Sequence, residues 1–258
     1  MPRPALYLPQ LRPGQAFPPI EQAWGPSSPA CGLLAAGGQL DVPTLIRAYS
    51  NGIFPWFSEG QPILWWCTDP RMVLKVSQFK LRRSLRQALQ RFRRDAQCEI
   101  RFDSAFDQVI TACAQTQRGA ASGNVSGTWI LPDMVNAYCA LHRAGYAHSV
   151  ETWVNGKLVG GLYCVALGKA VFGESMFSLQ TDASKIALAA LVCFCRKQGM
   201  QMIDCQQNTG HLASLGAQEM TRSAFLAHVK ISAAQPAPSW HFHDLYWSEL
   251  LTFDTPAP

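Results

Sequence analysis

No apolar run in this 258-residue sequence approaches the roughly 18 residues that a membrane helix needs. A transmembrane span is therefore not expected. The proline-rich start, MPRPALYLPQLRPGQAFPP, also lacks the continuous apolar segment of a signal peptide, so a retained, soluble chain is expected. Charge is scarce as well, at 15% of residues against 48% hydrophobic, and that ratio excludes a disordered chain. There is no CxxC pair, and His142, His148, His211, His228, His241 and His243 lack zinc-type spacing apart from the weak His241-Phe-His243. Neither a structural metal nor a cofactor is expected. Nine cysteines are present, an odd number, most of them inside apolar stretches such as ALVCFC and GLYCVAL. That pattern fits reduced core thiols and a cytoplasmic location better than a disulfide framework.

Acidic residues are missing from one stretch altogether. Between Lys75 and Arg94 lie eight basic residues and no acid, whereas the rest of the chain carries 14 basic against 17 acidic residues. Leu81, Leu85, Leu89 and Phe92 recur there at helical spacing, which puts Arg82, Arg83, Arg86, Arg93 and Arg94 on the other side. Such a helix is either a solvated face or a footprint for a polyanion. The lack of interleaved carboxylates favours the polyanion, because solvated faces usually mix signs.

The remaining pattern is α+β. Asp41 is a candidate N-cap for a helix with Pro43 in its first turn and Gly52 at its end. QPILWWCTDPRMVL reads as one short strand ending in a turn, and a small N-terminal domain over 1–74 is expected before a larger one over 75–258. In the second unit a strand and two helices, separated by the polar loop TQRGAASGNVSG, precede three strands. Asn155-Gly156 and Gly168-Lys169 make the tight turns between those strands. A helix capped by Asp182, a buried strand and a last helix follow. This order builds a mixed, largely antiparallel sheet.

Three polar residues stand out in apolar strands. Glu174, in AVFGESMFS, needs either an arginine of the chain itself or a cationic ligand. Asp204 and Gln206 share a strand face by alternation and form either a satisfied core pair or a relay that positions and relieves a proton. Alternation turns Cys205 away, which argues against a Cys205–His211 nucleophile. Tyr49, Trp56, Trp65, Trp66, Trp129 and Tyr138 serve either the core or the stacking of a base or sugar.

Together with DASKIALAALV, the stretches GLLAAGGQLDVPTLIRAYSNGIFPW, ILWW, GTWILPDMVNAYCALHRAGY, LVGGLYCVALGKAVFGESMFS and IDCQQNTGHLASLGA resemble the bacterial leucyl/phenylalanyl-tRNA–protein transferases. The match runs from about Cys31 to about Phe225. The resemblance implies a small α/β domain packed on a GNAT-like (acetyltransferase-fold) domain. It implies transfer of Leu or Phe, less readily Met, from aminoacyl-tRNA to proteins beginning with Arg or Lys, marking them for N-degron degradation. It implies that Asp204 and Gln206 are the catalytic relay and that Glu174 lies near the acceptor's basic side chain. Tyr49, Trp56, Trp129 and Tyr138 would hold the adenosine and acceptor. Leu162, Val171, Met176, Ser178, Leu191 and Ile203 would form the cup for the transferred side chain. On this reading Lys80, Arg82, Arg83, Arg86, Arg93 and Arg94 contact tRNA.

The chemistry suits these residues. An aminoacyl ester is already activated, and an α-amine with a pKa of about 7.7–8.0 is partly nucleophilic at neutral pH. Holding amine and ester in line supplies on the order of 7–11 kcal/mol, with no metal or covalent intermediate needed. An acetyl-CoA acetyltransferase is the rival, but its [RQ]xxGx[GA] phosphate loop fails at the final small residue in both RKQGMQ and QNTGHL. A non-catalytic RNA-binding module would explain the basic helix but not Glu174, Asp204 and Gln206 together.

Overall fold

The computed structural model describes residues 7–116 and 130–251. Its smaller sheet contains β1 (Gln10–Leu11), β2 (Leu33–Gly37), β3 (Phe54–Pro55) and β4 (Leu64–Trp66), in the order β1-β2-β4-β3. α1 (Val42–Ser50) lies between β2 and β3. It begins where expected, with Asp41 Oδ1 accepting the Thr44 N–H at 2.9 Å and Pro43 in the first turn. It ends at Gly52, whose φ of +66° favours glycine. A Cβ there would also lie 2.5 Å from the Leu226 side chain.

The larger sheet has seven strands: β5 (Arg71–Lys75), β6 (Cys98–Phe102), β7 (Ala147–Val154), β8 (Lys157–Leu167), β9 (Ala170–Ser178), β10 (Met202–Gln206) and β11 (Gln218–Met220). Their order is β11-β5-β10-β9-β8-β7-β6, and β9–β10 is the parallel pair in an otherwise antiparallel sheet. With α2 (Arg83–Arg94), α3 (Phe106–Gln115), α4 (Pro132–Arg143), α5 (Ala183–Lys197), α6 (Gly210–Ser214) and α7 (Arg222–Ala233), this is the expected mixed α+β class. The β7–β8 turn is made by Asn155 and Gly156, both at positive φ, as their sequence requires.

The single strand expected in QPILWWCTDPRMVL is two strands in different sheets, β4 and β5. β5 pairs with β10 and β11, so the larger sheet takes in Arg71–Lys75, ahead of the division expected before Lys75. Asp182 does not cap α5. It sits at φ +65° with no side-chain capping bond and pairs with Lys185 at 2.8 Å. The loop before Gly127, and Trp129, lie outside the described residues.

Among the described residues, two apolar clusters form the core. One joins the small sheet, α1, α3, α4 and α7 to one face of the large sheet, so the two sheets share a core. The other packs α2, α5 and the C-terminal segment on the opposite face. That segment, which lies beyond the family resemblance, docks by aromatic stacking: Trp240 on His148 at 3.9 Å between ring centroids, and Phe242 on Phe102 at 5.6 Å. Among the described residues no helix is long and apolar enough to cross a membrane.

Candidate active site

The site forms where the parallel strands separate. The β9–β10 register runs through Val171–Ile203 and Phe172–Asp204 and goes no further. Just beyond it, each strand carries a bulge. On β9, Ser175 pairs with Tyr163 and Gly173 with Cys164, so Glu174 is the extra residue. On β10, Asp204 pairs with Val73 and Gln206 with Met72, so Cys205 is the extra residue, and Gln206 adopts φ +54°. These two interruptions bring Glu174 and Gln206 together at the opening.

Glu174 is held by uncharged groups. Tyr49 of α1 donates to its Oε1 at 2.8 Å, Gln206 Nε2 donates to the same oxygen at 3.1 Å, and Tyr138 of α4 lies 3.2 Å from Oε2. The two phenol oxygens are 2.5 Å from each other. Burial pushes the Glu174 carboxyl up, as does the charge of Asp204. The tyrosine hydrogen bonds and Arg71 oppose the rise, and the result is a value of about 8. Burial likewise pushes both phenols well above their ordinary value, so they remain hydroxyls. Glu174 makes no ion pair among the described residues. The arginine that its salt-bridge alternative would need is taken by another carboxylate.

That arginine is Arg71, which the sequence reading missed. It is fully buried, and its Nε and Nη2 donate to Asp204 Oδ1 and Oδ2 at 2.8 and 2.6 Å. Nη1 donates to the Gly52 carbonyl at 3.0 Å, at the end of the helix that carries Tyr49. The guanidinium lies between the Phe54 and Phe225 rings, 4.7 and 4.5 Å from their centroids. Burial works against this charge, but Asp204 more than offsets it and the Arg71 pKa is raised. Asp204 Oδ1 also accepts the Gln206 N–H at 3.0 Å, which braces the turn that aims Gln206 at Glu174. A lone arginine in the apolar run RMVL was the available signal, because a buried guanidinium demands a carboxylate.

The other expected site residues divide. Leu162, Val171, Leu191 and Ile203 are buried in the cluster on the α5 face of the sheet, with Met176 packed at its margin. Val171 and Met176 lie on the same side despite their odd spacing because the bulge at Glu174 reverses the alternation. Ser178 is exposed and its hydroxyl bonds to the Gln180 carbonyl. Tyr49 and Tyr138 are fully buried, whereas Trp56 is 38% exposed beside Trp66, with 5.5 Å between ring centroids. Cys205 is turned to the other face and burial raises its thiol pKa strongly, which leaves it inert as a nucleophile.

On α2 the apolar positions Leu85, Ala88, Leu89 and Phe92 are buried. Lys80, Arg82, Arg83, Arg93 and Arg94 are exposed and Arg86 is half-buried. Arg82 is the N-cap residue, so it and Leu81 precede the helix that the spacing had them join.

The family model described as leucyl/phenylalanyl-tRNA protein transferase matches residues 73–230, and that of the same family's N-terminal domain matches 38–69. Among curated relatives, the leucyl/phenylalanyl-tRNA–protein transferase of Polaromonas sp. (strain JS666) is 62% identical, covering 99% of this chain and 98% of that protein. The enzyme of the same name from Albidiferax ferrireducens is also 62% identical, over 95% of each chain. That of Burkholderia vietnamiensis is 54% identical over 91% of each.

Proposed function

Because the chain belongs to the leucyl/phenylalanyl-tRNA protein transferase family, we propose that it carries a leucyl or phenylalanyl group, and less readily a methionyl group, from tRNA to proteins beginning with Arg or Lys. It is an aminoacyltransferase, and its product is a peptide bond at the acceptor's N-terminus. Acceptors of this kind would thereby be marked for degradation in the cytoplasm, a compartment that suits nine cysteines with no disulfide among them.

The observation that carries the reading is the chain of contacts from Arg71 through Asp204 and Gln206 to Glu174, Tyr49 and Tyr138 at the parting of β9 and β10. It is a polar site in an apolar surrounding with no need of a metal. Gln206 is poised to accept a hydrogen bond from the attacking amine through its amide carbonyl, with Asp204 fixing its orientation. Glu174 faces the acceptor. Leu162, Val171, Met176, Leu191 and Ile203 receive the transferred side chain from the α5 face, and Trp56 offers the exposed ring on which an adenine can stack. The basic surface of α2, with Lys80 and Arg82 before it, takes the tRNA phosphates without reading sequence.

The test is incubation with labelled Leu-tRNA and a peptide beginning with Arg, with labelled acetyl-CoA as the control. Label should pass from the tRNA to the peptide. Transfer from acetyl-CoA alone would replace this reading with the acetyltransferase one.

A further inference from the structure

We propose that the C-terminal segment, residues 240–251, is a strap that fixes α5 from behind and thereby sets how strictly the enzyme tells a leucyl side chain from a β-branched one. The inference rests on the transferase reading above and on its assignment of Leu191 to the cup.

α5 needs cover on every side. Its run IALAALVCFC, residues 186–195, has no polar face, and every one of these residues is buried. A helix that is apolar all round belongs inside a core, and a sheet covers only one of its sides. The large sheet takes one side of α5, and α2 and the C-terminal segment take the others within one cluster. The same cluster holds Leu162, Val171, Leu191 and Ile203. Of the residues assigned to the cup, only Leu191 is on an element outside the sheet. The rest lie on β8, β9 and β10, which backbone ladders hold in place. The position of the helical wall therefore depends on what is packed against it.

α5 is pinned at both ends. At the first, Thr152 Oγ1 donates to the Ala183 carbonyl at 2.9 Å, and Gly160 of β8 leaves room for the helix to approach. A Cβ on Gly160 would lie 2.5 Å from the Ala183 Cβ and 3.0 Å from its carbonyl carbon. At the other end, Arg196 donates through Nε and Nη2 to the Val76 carbonyl at 2.9 and 2.6 Å. Its Nη1 donates to the Glu249 carbonyl, which belongs to the strap, at 2.5 Å. Between the ends, Phe194 meets Trp240 at 4.8 Å and Tyr246 at 6.5 Å between ring centroids. Phe194 is three residues on from Leu191, so the two are neighbours on one helix face. The path from strap to cup runs from Trp240 through Phe194 to Leu191.

The strap is itself seated on the sheet. Trp240 stacks on His148 of β7 with the ring planes 3° apart. Asp103 fixes the orientation of that imidazole, its Oδ2 lying 2.7 Å from His148 Nδ1 while its Oδ1 accepts the Ser149 N–H at 2.8 Å. Farther along, Phe242 and Trp247 are buried edge to face, 5.2 Å between centroids, and Leu251 is buried as well.

Such a wall matters because the discrimination is one of shape. Leu and Ile have the same atoms and differ in where the chain branches, so a cup separates them by contact at fixed distance. A gap of about 0.5–1 Å forfeits roughly a quarter to a half of a contact. A wall that yields also removes the clash that rejects a branch at Cβ. Loosening the strap should admit Ile more than it harms Leu.

The experiment is competition between Leu-tRNA and Ile-tRNA for an Arg-initiated peptide, read as the ratio of the two products. Loss of folded enzyme cancels from that ratio, so a strap that only stabilises the fold would leave it unchanged. Trp240→Ala should lower the Leu-to-Ile ratio by about threefold or more, a sizeable part of the ~10–200-fold that one methylene is worth in an apolar pocket. Trp240→Leu keeps apolar bulk without the stack and should move the ratio the same way, which covers an alanine variant that does not fold. Trp240→Phe keeps a ring against Phe194 and His148 and should stay within about twofold of the wild type. Leu11→Ala truncates the other cluster and should weaken the protein to urea while the ratio holds. Ratios unchanged in Trp240→Ala and Trp240→Leu, or lowered as much in Leu11→Ala, would overturn the inference. A wild type that transfers neither residue would overturn the transferase reading and the strap's role with it. One that transfers Leu and Ile equally would overturn the cup and this inference but leave the transferase reading in place.

Discussion

Replacing Glu174 by Gln should make the protein more stable while it makes the enzyme worse. The folded carboxyl titrates at about 8 against an ordinary 4.5, so folding takes up a proton throughout that window. The sign follows from the unfolded chain holding fewer protons than the folded one between the two values. Glu174's contribution is undiminished below about pH 4.5, falls as pH rises through the window, and changes no further above about pH 8. Near pH 7 the uptake disfavours folding by ~3 kcal/mol, and above pH 8 by ~5 kcal/mol, at 1.36 kcal/mol per pH unit. Gln is the uncharged counterpart of the protonated acid. Its Nε2 can donate to Tyr138, and its Oε1 can accept from Tyr49. The variant therefore keeps both phenol contacts and escapes the pH dependence. Urea unfolding of both proteins near pH 5, 7 and 9 gives the comparison. The gap in favour of Gln should be under ~1 kcal/mol at the acid end and widen by several kcal/mol toward the alkaline end. A gap that stays constant across this range, or a wild type that is the more stable protein at pH 8, would refute a raised Glu174 titration.

Charge reversal at Arg83 and Arg86 should raise KM for aminoacyl-tRNA and flatten the fall of affinity with salt, while a minimal aminoacyl-adenosine donor is spared. Equal damage to both donors, measured in parallel, would remove α2 from the tRNA contact. Transfer from Leu-tRNA and Phe-tRNA should exceed transfer from Ile-tRNA or Val-tRNA by ~1–3 kcal/mol in kcat/KM, because a β-branched side chain does not fit a cup shaped by Leu162, Val171 and Ile203. Competition between charged tRNAs reads this ratio directly. Asp204→Asn alone leaves Arg71 buried without its counter-charge and should cost ~3–5 kcal/mol in chemical denaturation. Adding Arg71→Met should recover much of that loss.

The elements were legible in the sequence wherever one local cause suffices. The Asp41 cap with Pro43, the Asn155-Gly156 turn and the apolar stripe of α2 each act within a few residues, and each is found in place. The division of QPILWWCTDPRMVL was not legible, because which sheet a strand joins is decided by partners far along the chain. β5 meets β10 and β11, well over a hundred residues later. Asp182 had the right residue type for a cap but sits in the left-handed region, where its side chain reaches Lys185 instead. Polar residues in apolar strands did mark Glu174, Asp204 and Gln206. Alternation predicts only a face, and it does not reveal a bulge, a departure from the period of two on which it rests.

The two carboxylic acids at the parting of β9 and β10 show why residue type alone could not assign their roles. Asp204 is buried and Glu174 half-buried, both are acids one contact away from Gln206, and the sequence offered each the same choice between a satisfied partner and a chemical task. Their neighbours separate them. Asp204 faces a guanidinium whose planar fork meets both its oxygens, so its charge is answered inside the fold and its geometry is fixed. Glu174 faces two phenols and an amide, none of which can carry a positive charge, so burial drives it toward the neutral form until an incoming group alters the balance. Exchanging their partners would exchange their roles. Two acids of one class are thus set apart by their partners alone, one charge answered inside the fold and the other pushed up by burial at the opening of the sheet.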